Sequence, residues 1–175
     1  TTIEASALTT MSGLTTGLVT ASASTITGTT AELLAMIADN NAASGIATET
    51  DVNFGLDAGS TTTVTQILSL HDATTGVITA VDITGTHTQI VALANNARPT
   101  LENATGTIQV NGANVGETMV MTDVGTKADL TIFGNGGIDT IFGAQGDDTI
   151  IGGTGNDILK GAAGANNKKI ILLTR

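Results

Sequence analysis

Residues 134–160 read GNGGIDTIF, GAQGDDTII and GGTGNDILK, three nonapeptides in phase. Gly opens each unit (Gly134, Gly143, Gly152) and returns at the fourth place (Gly137, Gly146, Gly155). Asp stands sixth (Asp139, Asp148, Asp157) and an aliphatic residue eighth (Ile141, Ile150, Leu159). Two decayed units flank them. Residues 125–133 keep Gly125 and Ile132 but carry Leu130 at the Asp place. Residues 161–169 keep Gly161 and Gly164, with Asn166 at the Asp place and Lys168 at the apolar place. A flexible linker has no need of aliphatics at equal spacing. A short fixed period is the mark of coils that stack on one another and share a core.

Glycine permits the tight positive-φ turns in which backbone carbonyls converge. Carbonyls plus one carboxylate per turn form a hard-oxygen donor set, which suits Ca2+ at about 2.3–2.6 Å. The stretches T-I-F, T-I-I and I-L-K read as short strands with the middle residue inward. Two nonapeptides complete one coil, so turns two units apart stack on the same edge. The pattern resembles the RTX (repeats-in-toxin) family, whose unit is GGxGxDxUx, over about residues 125–166. That resemblance implies a calcium-bound parallel β-roll. It places the best site between residues 134–139 and 152–157, with Asp139 and Asp157 as ligands. On the other edge Asp148 faces either the Asn166 turn or the Leu130 turn. Gly134, Gly136, Gly143 and Gly152 are the backbone contributors to the metal sites. Asp147 and Asn156 stand fifth, where the family offers a backbone carbonyl more often than a side chain. Asn135 and Ala144 depart from the second glycine and leave the Asp ligands in place.

The preceding residues repeat on a longer period. TTGLVTA at 15–21 matches TTGVITA at 74–80, and ITGTTAELLAMIADN at 26–40 matches ITGTHTQIVALANN at 83–96. The unit of about 58 residues reads in turn as two αβ units of about 29. Strand-like stretches open at Gly17, Gly45, Gly76 and Gly106. Helix-like stretches follow the capping pairs Thr1/Glu4, Thr29/Glu32, Thr63/Gln66 and Thr86/Gln89. Helices between successive strands make the strands parallel. The expected fold is a β-rich α/β repeat protein. A parallel α/β solenoid over residues 1–112 leads through a bridging strand at about 117–123 onto the β-roll. The domains divide as 1–123 and 124–175. The alternative is a doubly wound α/β domain built from the same elements.

Composition bounds the function. The chain has 175 residues, 41% of them apolar, enough for a buried core. Aromatics are only 2%, so that core must be aliphatic. About a fifth of the residues are Thr, which fits β-rich structure. A formal charge of −10, with Arg98 the first basic residue, argues against nucleic acid and anionic membranes. The absence of Cys excludes disulfides and thiolate metal sites. No apolar run is long enough to span a bilayer. The chain opens at Thr1 in mid-pattern, without a leader-like segment, and reads as a processed chain or the ordered part of a longer one. There is no HExxH, GxSxG or GxxxxGK[ST] motif, and His71 and His87 stand in no catalytic constellation. Glu49 and Asp51, read on one side of a strand, form a weaker candidate cation site.

These features lead to a non-enzymatic, extracellular, calcium-dependent bacterial structural protein: a surface-layer, sheath, filament or adhesin subunit. The alternatives are the non-catalytic tail of a secreted hydrolase, or a carbohydrate- or ice-binding module. The RTX resemblance implies type I secretion as an unfolded chain, although the tail after Asn166 is shorter than the usual signal. Expected partners are further copies of the chain, joined end to end in calcium, with a surface glycan as a candidate. The run Ile170–Leu173 is expected to add to a neighbour's sheet edge.

Overall fold

The structure is a computed structural model that describes residues 1–40, 45–80, 82–124, 129–162 and 169–173. The chain divides into two compact units, Thr1–Val81 and Asp82–Arg175. The first unit contains β1 (Thr2–Glu4), α1 (Ala5–Gly13), β2 (Val19–Ala21), β3 (Thr25–Gly28) and α2 (Thr30–Asn40). It continues through β4 (Ile46–Thr48), β5 (Asn53–Leu56), β6 (Thr61–Thr63), α3 (Val64–Ala73) and β7 (Ile78–Thr79). Strands β1-β3-β5-β7 form one parallel sheet in chain order. Among the described residues this order shows no reversal of the kind a doubly wound sheet has. Register aligns Ile3, Ile26, Phe54 and Ile78 across the sheet. Matched positions recur after 23 residues between Thr1 and Ser24, and after 24 between Asn53 and Val77.

The core of this unit is aliphatic apart from Phe54 and Met36. Leu8, Ile26, Leu33, Ile46, Leu70 and Ile78 pack with them beneath the helices. Burying each such side chain is worth about 1.5–3 kcal/mol. Threonine also links elements from within: Thr30 Oγ1 and Thr62 Oγ1, both buried, lie 2.7 Å apart.

Three of the four expected helix caps form. Thr29 donates from N and Oγ1 to Glu32 Oε2, and Glu32 N donates back to Thr29 Oγ1. Thr63/Gln66 and Thr86/Gln89 make complete capping boxes. The fourth expectation fails. Thr2–Glu4 is strand, paired with β3, and α1 begins at Ala5 with no side-chain cap. Glu4 Oε1 instead accepts from Thr27 Oγ1 on that neighbouring strand.

The glycine-opened strands also stack differently from expectation. β2 and β4 form their own parallel pair, whereas β7 joins β1-β3-β5. The strand after Gly106 lies in the second unit.

That second unit contains β8 (Asp82–Thr86), α4 (His87–Asn96), α5 (Arg98–Glu102), β9 (Ile108–Asn111), β10 (Thr118–Val120) and a 3-10 turn, Met121–Val124. Then come β11 (Leu130–Phe133), β12 (Thr140–Phe142), β13 (Thr149–Thr154), β14 (Ile158–Lys160) and β15 (Lys169–Leu173). Strands β8-β9-β11-β13-β15 are neighbours in one parallel sheet, and β10-β12-β14 form another. The coil shortens along the chain. Its length is 25 residues from Asp82 to Thr107, 22 from Glu117 to Asp139 and 18 from Asp139 to Asp157. The first of these coils holds α4 and α5, the second holds the 3-10 turn, and the last is two nonapeptides.

Inward residues form two ladders. Val110, Ile132 and Ile150 stack in one, Met119, Ile141 and Leu159 in the other. All are buried except Leu159, which is half-buried. The division expected at 123/124 falls inside this unit, because β9 pairs directly with β11. The run Ile170–Leu173 does not wait for a neighbour. It belongs to β15, which pairs with β13 of its own chain, Ile150 opposite Ile170.

Candidate metal centre

One edge of the second unit carries a line of carboxylates, one per coil. Asp139 N donates to Asp157 Oδ1 at 3.0 Å, 18 residues on. Asp139 Oδ1 in turn accepts from Glu117 N at 2.8 Å. Each carboxylate thus lies in the seam between its own coil and the preceding one. Asp139 is 0% exposed. Its Oδ2, and Oδ2 of Asp157, are buried without a hydrogen-bond partner. A buried unpartnered carboxylate oxygen is costly, and a positively charged ligand removes that cost. Burial pushes the Asp139 carboxyl above its ordinary range. The Glu117 N–H opposes that shift, while the negative charges of Asp157 and Glu117 add to it.

The opening glycines leave room beside these oxygens. A Cβ on Gly134 would lie 2.6 Å from Asp139 Oδ2 and would collide with the Gly152 carbonyl. A Cβ on Gly152 would collide with Asp157 Oδ2, and one on Gly143 would lie 2.7 Å from Asp148 Oδ2. So carboxylate and carbonyl oxygens line space that only glycine leaves open. The turn backbone requires glycine at Gly137 (φ 112°), Gly153 (φ 98°) and Gly155 (φ 136°). Asn135, at φ 71°, takes the same left-handed region, which Asn tolerates best after Gly. Its Nδ2 also donates to the Gly112 carbonyl at 2.7 Å. This explains the departure from glycine at that place.

The opposite edge is built similarly. Asp148 is 0% exposed and its Oδ1 accepts from Leu130 N at 3.2 Å, so it faces the Leu130 turn. The alternative partner, Asn166, lies outside the described residues. Asp147 N donates to Asp129 Oδ1 at 2.7 Å, and Asp147 Oδ1 is buried without a partner. Asp129 escaped the sequence reading because it stands fifth, beside the Leu130 that occupies the Asp place. Gly136 is buried and bridges to Thr154, whereas Asn156 is exposed. Among the described residues no three Asp, Glu, His or Cys side chains gather as one metal cluster. A cation held here therefore needs backbone oxygens as well as the carboxylates. That mixed hard-oxygen set fits Ca2+.

Other sequence candidates are placed differently. Glu49 and Asp51 do not share a strand. They flank the turn between β4 and β5, exposed, and line a shallow hollow with Ser22, Ser24 and Asn53. His71 lies in the last turn of α3, and His87 Nε2 accepts from Val120 N at 3.2 Å. Among the described residues no helix is long and apolar enough to cross a membrane.

Comparison with curated proteins and with solved structures finds no match to the chain. Residues 133–167 match the RTX calcium-binding nonapeptide repeat in four copies. The edge that joins Asp139 to Asp157 lies within that match, and the segment is thus an RTX repeat array, of the kind that binds calcium.

Proposed function

We propose that the protein is an extracellular calcium-dependent structural protein, a subunit of a surface layer, sheath, filament or adhesin. The observation that carries this reading is the seam of Asp139 and Asp157, with two buried carboxylate oxygens that lack partners. RTX repeats are typical of secreted bacterial proteins. Without a cation the carboxylates repel and the glycine-rich turns are entropically costly to order. With Ca2+, each occupied site stabilises the folded form, by about 1.4 kcal/mol at ten times its Kd. Cytosol is poor in Ca2+ and the exterior is rich in it, so ordering follows export. Asp139 and Asp157, with the carbonyls of the Gly134 and Gly152 turns, are the groups that hold the ion. The ion supplies the positive charge that this edge lacks. The first unit, read as a parallel α/β solenoid, serves as a non-catalytic spacer. Protease treatment of intact producing cells, before and after a chelator wash, tests the role. Surface accessibility in calcium and release by the chelator are expected. A protein that stays protease-protected inside the cell would contradict it.

A further inference from the structure

Upstream of the matched repeats, residues 112–120 read GANVGETMV. In the nonapeptide frame this puts Gly first, an acid sixth and an apolar residue eighth. The structure stacks it accordingly, with Met119 opposite Ile141 and fully buried. We infer that Glu117 and the Gly134–Asp139 turn hold a further Ca2+ ion, one coil outside the RTX match. The inference rests on reading the Asp139–Asp157 edge as a calcium site.

The geometry of the two seams corresponds. Glu117 N donates to Asp139 Oδ1 as Asp139 N donates to Asp157 Oδ1. Beside Gly134 stand the Gly152 carbonyl and Asp139 Oδ2. Beside Gly112 stand the Gly134 carbonyl and Glu117 Oε2: a Cβ there would lie 2.7 Å from the first and 2.8 Å from the second. The Phe133 carbonyl would be 2.9 Å away. The Gly134 carbonyl and Glu117 Oε2 therefore converge on a space kept open by glycine, while the Phe133 carbonyl already accepts from Gly112 N. Asp139, fully buried, lies between the two seams: its Oδ1 accepts from Glu117 N, and its unpartnered Oδ2 lies beside Gly134. Glu117 Oε2 also accepts from Ala113 N, which fixes the carboxylate in the turn.

Native mass spectrometry of the full chain in calcium, with circular dichroism on the same samples, tests this. Glu117→Gln keeps an acceptor for Ala113 N but removes the charge. It should bind one ion fewer than the wild type, with the fold unchanged at saturating calcium. Glu117→Asp should keep the full count. An unchanged count and affinity in Glu117→Gln overturns the inference. Loss of the ion in both variants overturns it too, as does collapse of the fold in Glu117→Gln, since each makes Glu117 a brace rather than a ligand. A wild type that binds no calcium overturns instead the reading of the whole edge.

Discussion

At the scale of single residues, the carboxylates of the metal edge are not equivalent. Asp157 accepts the Asp139 N–H with one oxygen and keeps the other buried and unpartnered beside Gly152. Asp147 stands fifth in its unit, on an edge whose neighbouring coil offers Leu130 at the acid place. Asp157→Ala should therefore raise the calcium midpoint of folding by about tenfold or more, the scale of one charged hydrogen bond. Asp147→Ala should raise it less. Calorimetric calcium titration of both variants checks the order. A second expectation concerns pH without the metal. The Asp139 carboxyl is raised in the fold, above all by burial. Its folded form thus holds a proton that the unfolded form has already lost. Stability of the calcium-free roll is then lost as pH rises from the ordinary carboxylate value through the raised one, and is regained on acidification. In calcium the trend reverses, because protons compete with the ion. The folded fraction, followed by circular dichroism across that pH window in chelator and in calcium, reads both signs.

At the scale of elements, the sequence was legible where local chemistry alone decides. Thr63/Gln66 and Thr86/Gln89 close as capping boxes because a helix start needs its own free N–H groups satisfied. Thr63→Ala should cost about 1 kcal/mol of stability, measurable by urea unfolding of the chain. The same motif at Thr1/Glu4 misled, because pairing of Ile3 with Ile26 extends the strand to Glu4 and delays the helix. Only the tertiary partner distinguishes these cases. The nonapeptides were legible down to which strand residue points inward, since period and burial coincide at Ile132, Ile141 and Ile150. The Gly112–Val120 unit was not. Four inserted residues, Met121–Val124, shift it out of phase, and Glu117 replaces the expected Asp. Likewise β15 read as a free apolar run, because its parallel pairing with β13 depends on register rather than composition.

At the scale of the whole molecule, both units obey one rule, parallel strands added in chain order, but differ in what closes each coil. In the first unit, helices α1, α2 and α3 cover the sheet, and aliphatic burial stabilises it. In the second, helices give way to glycine turns, and coils of 18 residues bury little beyond one aliphatic per strand. Such thin coils leave a small core against the entropy of ordering many glycines, and the carboxylate seams add repulsion. Calcium binding offsets both. Hydrogen exchange resolved by segment, in calcium and in chelator, tests this most directly. Amides of β11 through β14 should be protected in calcium and exchange rapidly in chelator, while those of β3 and β5 keep their protection throughout. Equal protection of β11 through β14 in both conditions would contradict the account.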